Sequence, residues 1–239
     1  MAGTSYRNSS QKRKLRRDNL KILCISDHID PLVYSERIKT RFKDIDIILG
    51  AGDLPINYYE YIISCLNKPL YFVFGNHNLK KMAEFKGGLH PSFSGGYDQA
   101  PSYGSTYIGG KVIRDRKNDL IIVGMGGSKR YSHQPNQFTE FGMVLRILPA
   151  VPKMIWYRIF RGRFCDILLT HTPPRGIHDR EDLCHKGFKV FRLFLRLFSP
   201  RYMVHGHIHL YDNNEQRKSL FDRTEIYNAY DHIILEFDR

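Results

Sequence analysis

Short apolar runs that end on polar residues punctuate this chain. Leu20 opens the first of them, LKILCIS, which is rich in Ile and Leu and closes on Ser26. The same texture recurs in DIIL (46–49), LYFVF (70–74), DLIIVGM (119–125), DILLT (166–170) and RYMVH (201–205). Runs this short and this apolar predict strands buried on both faces. Helix-length segments, 32–42 and 58–66, separate the first three, so the front half reads strand, helix, strand, helix, strand. That alternation predicts an α/β fold with a parallel sheet and helices on its faces. Further on, KMIWYRIFRGRF (153–164) and FKVFRLFLRLF (188–198) read as helices. The second has Lys189, Arg192 and Arg196 on one face and is stopped by Ser199-Pro200. Residues 87–110, crowded with Gly, Ser, Pro and Tyr, read as one long irregular loop, and TEIYNAYDHIILEFD (224–238) as two closing strands in a hairpin about Asp231.

The 239 residues, 42% of them hydrophobic, can enclose a sizeable core, which excludes fibrous and wholly disordered classes. One domain over 20–239 is the expectation for this length. No apolar run approaches the roughly 20 residues of a spanning helix, and the N-terminus has charge without the apolar stretch of a signal peptide. The four cysteines, Cys24, Cys65, Cys165 and Cys184, form no C-x-x-C pair. They read as reduced thiols of a cytoplasmic protein. The net charge of +13 is concentrated in two places. Residues 1–19 carry six basic side chains against one acid, the mark of a flexible solubilising tail or of an arm for nucleic acid. Residues 153–201 carry eleven against four, as basic outer stripes of packed helices or as a peripheral contact with an anionic membrane or polyanion.

Each apolar run leads into residues that bind metals. The clusters are Asp27-His28-Ile29-Asp30, Gly52-Asp53, Gly75-Asn76-His77-Asn78, Thr170-His171-Thr172 and Gly206-His207-Ile208-His209. In parallel sheets ligands bind outside the carboxyl ends of the strands, so the five clusters are expected to converge. Asp, Asn and His together make the oxygen and imidazole set that suits Mn, Fe or Zn.

The order D-x-x, G-D, G-N-H, H and G-H-x-H resembles the calcineurin-like metallophosphoesterase superfamily, from about Leu20 to Phe237. THTPP, a following Gly-Ile-His-Asp and HGHIH are also similar to its small phosphodiesterase-like branch. The resemblance implies a four-layer α/β sandwich of two mixed sheets flanked by helices. It implies a phosphoester substrate and two divalent metal ions, Mn²⁺ ahead of Fe, Zn, Ni and Mg, with a bridging hydroxide as nucleophile. Carried over residue by residue, Asp53 bridges the metals, Asn76, His171 and His207 complete one site, Asp27 and His209 serve the other, and His77 is the catalytic proton donor.

The chain departs from the family at Ile29, where the pattern has His. Three outcomes stay open: Asp30 takes the vacant place, water takes it, or the site works with one firmly held metal. A scaffold with reduced turnover and a nucleic-acid-processing enzyme of the same fold are the competing functions. Gly126-Gly127-Ser128-Lys129-Arg130 reads either as a phosphate cradle at a strand end or as a surface turn.

Overall fold

The computed structural model describes residues 19–77, 79–82, 85, 89–91, 97–99, 104–212 and 215–238. The predicted basic tail lies outside them except for Asn19, which opens the first strand. The first sheet holds β1 (Asn19–Ser26), β2 (Ile47–Gly50) and β3 (Leu70–Phe72), with α1 (Ile38–Arg41) and α2 (Ile56–Leu66) between them. Two short strands, β4 (Leu89–Pro91) and β5 (Tyr97–Gln99), pair with each other, and β6 (Ser105–Tyr107) joins β3. The described parts of 87–110 therefore hold strands where an irregular loop was expected.

The second sheet is built from β7 (Lys111–Asp115), β8 (Leu120–Met125), β11 (Ile167–Thr170), β12 (Tyr202–His205), β13 (Lys218–Phe221) and β14 (Thr224–Asn228). A two-residue ladder, β9 (Ser128–Lys129) with β10 (Gln137–Phe138), follows β8. Three helices cover the sheet: α3 (Glu140–Ile147), α4 (Val151–Arg161) and α5 (Lys189–Phe198). The last strand, β15 (Asp231–Asp238), returns to the first sheet.

Strand order is β15-β1-β2-β3-β6 in one sheet and β13-β14-β12-β11-β8-β7 in the other. The inner strands of both run parallel, as the alternation predicted. Ile22, Cys24, Leu49 and Val73 of the first sheet meet Ile122, Leu169 and Val204 of the second in a dry layer between them. On the outer faces, Ile25, Ile48 and Phe72 pack on Ile38, Tyr59 and Ile62, while Val123, Leu168 and Met203 pack on Met143, Met154 and Phe191. The result is the four-layer sandwich, in which the inner strands β2, β8, β11 and β12 are buried along their whole length, whereas edge strands β13 and β15 alternate with exposed positions.

Two expectations are corrected. Helix 32–42 shrinks to Ile38–Arg41, because Asp30 accepts from the amides of Leu32, Val33 and Tyr34 and folds the preceding residues into turns. Segment 224–238 is no hairpin: β14 pairs parallel with β12, whereas β15 pairs antiparallel with β1 over eight residues. The chain crosses between sheets at Ala229-Tyr230, which closes the open edge of β1 and buries Leu235 and Phe237 in the central layer.

Helix ends follow local chemistry. Thr139 caps α3 by accepting from the Gly142 amide at 3.0 Å, and α4 starts with Pro152 in its first turn and stops at left-handed Gly162.

Phe72, wholly buried among Tyr59, Phe74, Phe85 and Tyr107, anchors the strand that leads to Asn76. Phe72→Ala should lower the unfolding free energy by about 3–5 kcal/mol in urea titrations. A loss under about 1 kcal/mol would mean that this layer does not carry the sheet.

Candidate metal centre

Asp27 lies directly after β1, Asp53 after β2, Asn76 after β3, His171 after β11 and His207 after β12. Asp27, Asp53 and His207 have φ of 64°, 57° and 70°, left-handed values that non-glycine residues seldom adopt. Each strand thus ends in a sharp turn that throws one side chain back over the sheet edge. Asp27, Asp53 and His207 are three of ten described non-glycine residues with positive φ, and they are the ones that end strands at the converging blocks.

The turns close tightly. A Cβ on Gly75 would overlap Asp53 and His171, and one on Gly206 would overlap Ser26 and the Asp27 carboxylate. These two glycines stand in the G-N-H and G-H-x-H blocks because ligand side chains occupy the space.

At the centre, His171 donates its Nδ1–H to the Ala51 carbonyl at 2.8 Å. Its Nε2 then faces Asp53 Oδ2 at 3.2 Å and Asn76 Oδ1 at 3.1 Å. Burial pushes the His171 pKa down, but the Asp53 and Asp27 carboxylates outweigh it and hold the ring up at about 9. The two carboxylates thus favour a proton on Nε2. His207 donates Nε2–H to the Cys184 carbonyl at 2.6 Å, which leaves Nδ1 as its lone pair. Burial first, and the neighbouring His171 second, lower its pKa to about 3, so it is neutral. Each imidazole is therefore oriented through one nitrogen by a backbone carbonyl, the usual support of a metal-ligating His.

Asp53, His171 and His207 each bring a ligand atom within 4.8 Å of the others. With the Asn76 oxygen this is an oxygen and imidazole set that fits a divalent transition metal, whose binding must displace the Nε2 proton. Asp27 is less committed to that group. Its carboxylate accepts twice from the His207 amide, at 2.9 and 3.1 Å, and His209 Nε2 stands 3.8 Å from it. His209 is half-exposed, with Nδ1 bonded to the Tyr211 hydroxyl at 3.0 Å and its ring against Tyr230. His77 is exposed at the mouth, its backbone amide donating to Asp53 Oδ1 at 2.7 Å.

The first block holds no substitute for the missing His. Asp30 turns to His232 and to the Leu32 amide, His28 pairs with Asp231 at 2.7 Å, and Ile29 is 38% exposed. The Gly126–Arg130 segment is no free cradle either. Its amides at Gly127, Ser128 and Arg130 donate to Phe74, Asn136 and Phe138, and Lys129 pairs with Glu140.

Sequence reasoning missed three supports. Tyr131 accepts from the Asn76 amide nitrogen at 3.1 Å and so aims the Asn76 oxygen at His171. Buried Asn136 donates to the carbonyls of Phe74 and Gly75, at 3.1 and 2.6 Å, and holds the turn that carries Asn76. The Cys184 carbonyl orients His207. None lies in an apolar run or a repeated spacing, so only the folded chain connects them.

The Calcineurin-like phosphoesterase family model matches residues 20–211, most of the chain. The chain belongs to that family. Two solved structures are similar to this calcineurin-like phosphoesterase in fold. One is 15% identical with a TM-score of 0.60, covering 91% of this chain and 95% of its own. The other, TT1561 of Thermus thermophilus, is 14% identical with a TM-score of 0.55, covering 89% of each. No curated protein sequence matches the chain.

Asn136→Ala should leave the Gly75 carbonyl unpaired beside the site, while Phe74 keeps its bond from Gly127, and cost about 1–3 kcal/mol in urea unfolding. Mn²⁺ affinity by calorimetry should fall with it; unchanged affinity would deny Asn136 its positioning role.

Behind the site, His178 donates from Nδ1 to His205 Nε2 at 2.9 Å and accepts from the Ser219 hydroxyl at 2.8 Å. Burial lowers the His178 pKa from 6.5 to about 4. Between those values the unfolded chain takes up a proton that the folded chain refuses, so this pair's stability is full above pH 6.5 and is lost as pH falls toward 4. His178→Asn, which tolerates the left-handed φ of 58°, should flatten that part of the stability–pH curve. An identical slope in the variant would contradict the assignment.

Proposed function

We propose that this calcineurin-like phosphoesterase is a metal-dependent phosphoester hydrolase, acting on phosphodiesters or phosphomonoesters. The observation that supports it is the convergence of Asp53, His171 and His207 ligand atoms at the sheet edges. In this reading Asp53, Asn76, His171 and His207 would hold one divalent cation, and Asp27, His209 and Asp53 would serve a second. When bound, such cations would supply positive charge for phosphoryl oxygens and lower the pKa of water toward neutrality.

The chain's own residues supply the rest. Asp53 stays ionised: burial opposes this, but His171 and the His77 amide hold its pKa down at about 2. His77, exposed and joined to Asp53 through its backbone amide, presents its imidazole to deliver a proton to the departing alkoxide. The Cys184 and Ala51 carbonyls keep the ligating nitrogens of His207 and His171 aimed inward. All four cysteines are free thiols, which suits a reducing cytoplasmic setting.

Purified protein should hydrolyse bis-p-nitrophenyl phosphate with added Mn²⁺ and lose that activity in EDTA. His77→Ala should retain metal yet lower turnover by roughly 10²–10⁴ on substrates with poor leaving groups, and by much less on p-nitrophenyl esters. Equal losses on both would remove the proton-donor role. Ile29 favours one other reading, a scaffold that keeps the fold with reduced turnover. Inactivity on a phosphoester panel with Mn²⁺, Ni²⁺ and Fe²⁺ would select it.

Unequal ligand sets predict unequal sites. Calorimetry with Mn²⁺ should resolve a tight site and a weak one, and Ile29→His should tighten the weak one. Asp30→Ala should change neither, since Asp30 is engaged by His232 and Leu32. Two indistinguishable affinities in the unmodified chain would show that another group completes the second site.

A further inference from the structure

Helix α4 buries only Met154 and Tyr157 of its large apolar side chains. Ile155, Trp156, Ile159 and Phe160 stand outward at 46%, 50%, 70% and 63% exposure. Phe141, Leu145 and Leu148, of α3 and the turn that joins it to α4, are exposed as well, as are Leu193 and Leu197 of α5, which packs on α3. Scattered apolar residues on a surface are ordinary, but a run of this kind along a connected helical layer marks an interaction site.

The charge around it has one sign. Residues 141–165 contain five basic side chains, Arg146, Lys153, Arg158, Arg161 and Arg163, and no acid. The flanking acids are spent: Glu140 accepts from the Val190 amide and pairs with Lys129, and Asp166 pairs with Arg163. We propose that the α3–α4 face docks on an anionic phospholipid bilayer, with Trp156, Ile159 and Phe160 entering the headgroup boundary and Lys153, Arg158 and Arg161 meeting lipid phosphates.

Charge decides among occupants. A second copy of this chain laid on the same face would set these cations against their equals with no acid to pair. A nucleic acid would satisfy the cations but would leave Ile155, Ile159 and Leu145 pressed on phosphates, since aliphatic side chains offer no ring for base stacking. An anionic bilayer takes both components at once, as it does for basic amphipathic helices with Trp and Phe on the apolar side. No helix among the described residues is long and apolar enough to cross a membrane, so the contact is peripheral.

Trp156 is the single tryptophan of the chain and therefore reports on this face alone. The full-length protein is mixed with vesicles of phosphatidylcholine, with and without phosphatidylserine, and followed by co-sedimentation and tryptophan emission. Binding to the anionic vesicles with a blue shift of Trp156 is expected, weakening as salt rises. Arg158→Gln with Arg161→Gln should weaken it about 25-fold, at roughly fivefold per cation near the surface. Ile159→Ser with Phe160→Ser, at exposed positions that leave the circular dichroism unchanged, should abolish the shift.

Sedimentation with unshifted emission would assign binding to the basic N-terminal residues and overturn the proposal. So would equal binding to neutral vesicles, or no binding. A shift that instead follows protein concentration, with dimers in equilibrium sedimentation, would assign the face to a second copy. A shift on single-stranded RNA but not on vesicles would assign it to nucleic acid.

Discussion

The bond from His171 Nδ1 to the Ala51 carbonyl joins the carboxyl edge of one sheet to that of the other. It is buried, crosses the seam of the sandwich, and sets which imidazole nitrogen is left for a ligand. Without it His171 would have no fixed tautomer and no reason to direct Nε2 at Asp53 and Asn76. Neighbouring contacts repeat the stitch: the Asp27 carboxylate accepts from the His207 amide, and Gly127 donates to Phe74. The two edges are locked by the same residues that form the candidate centre, so site geometry and sheet packing cannot be varied separately.

This double duty explains an imbalance within the centre. Asp53, Asn76, His171 and His207 are converged and supported by backbone carbonyls or side-chain donors. Asp27 spends its carboxylate on the His207 amide, and His209 leans on Tyr211 and Tyr230 at the rim. With Ile29 turned to solvent, the Asp27 side keeps fewer groups to give a cation. Burial raises the Asp27 pKa, the His171 charge opposes it, and the nearby Asp53 carboxylate adds to the rise.

Much of this was legible before folding. Parallel strands buried on both faces must be written as unbroken apolar runs, and their carboxyl ends must carry whatever binds, so Asp27, Asp53, Asn76, His171 and His207 stood out by position. What stayed hidden depends on contacts distant in sequence. Asp30 breaks the predicted 32–42 helix by capping turns, and β15 abandons β14 because β1 offers an eight-residue edge. Tyr131, Asn136 and the Cys184 carbonyl act across 55, 61 and 23 positions, where no periodicity operates. Charge patterning fared differently: the basic 153–201 segment was visible at once, but only the fold separates buried Met154 and Tyr157 from exposed Trp156 and Phe160.

Crystals grown with Mn²⁺ and measured at its absorption edge give the most direct test. The account predicts a strong anomalous peak enclosed by Asp53, Asn76, His171 and His207, with His171 Nε2 as a ligand and Nδ1 still on the Ala51 carbonyl. A second peak, if present, should be weaker and lie beside Asp27 and His209. A peak held instead by the other ligand-type group of the described residues, Asp182 with Cys184 and His185, while His171 keeps its contacts to Asp53 and Asn76, would contradict it.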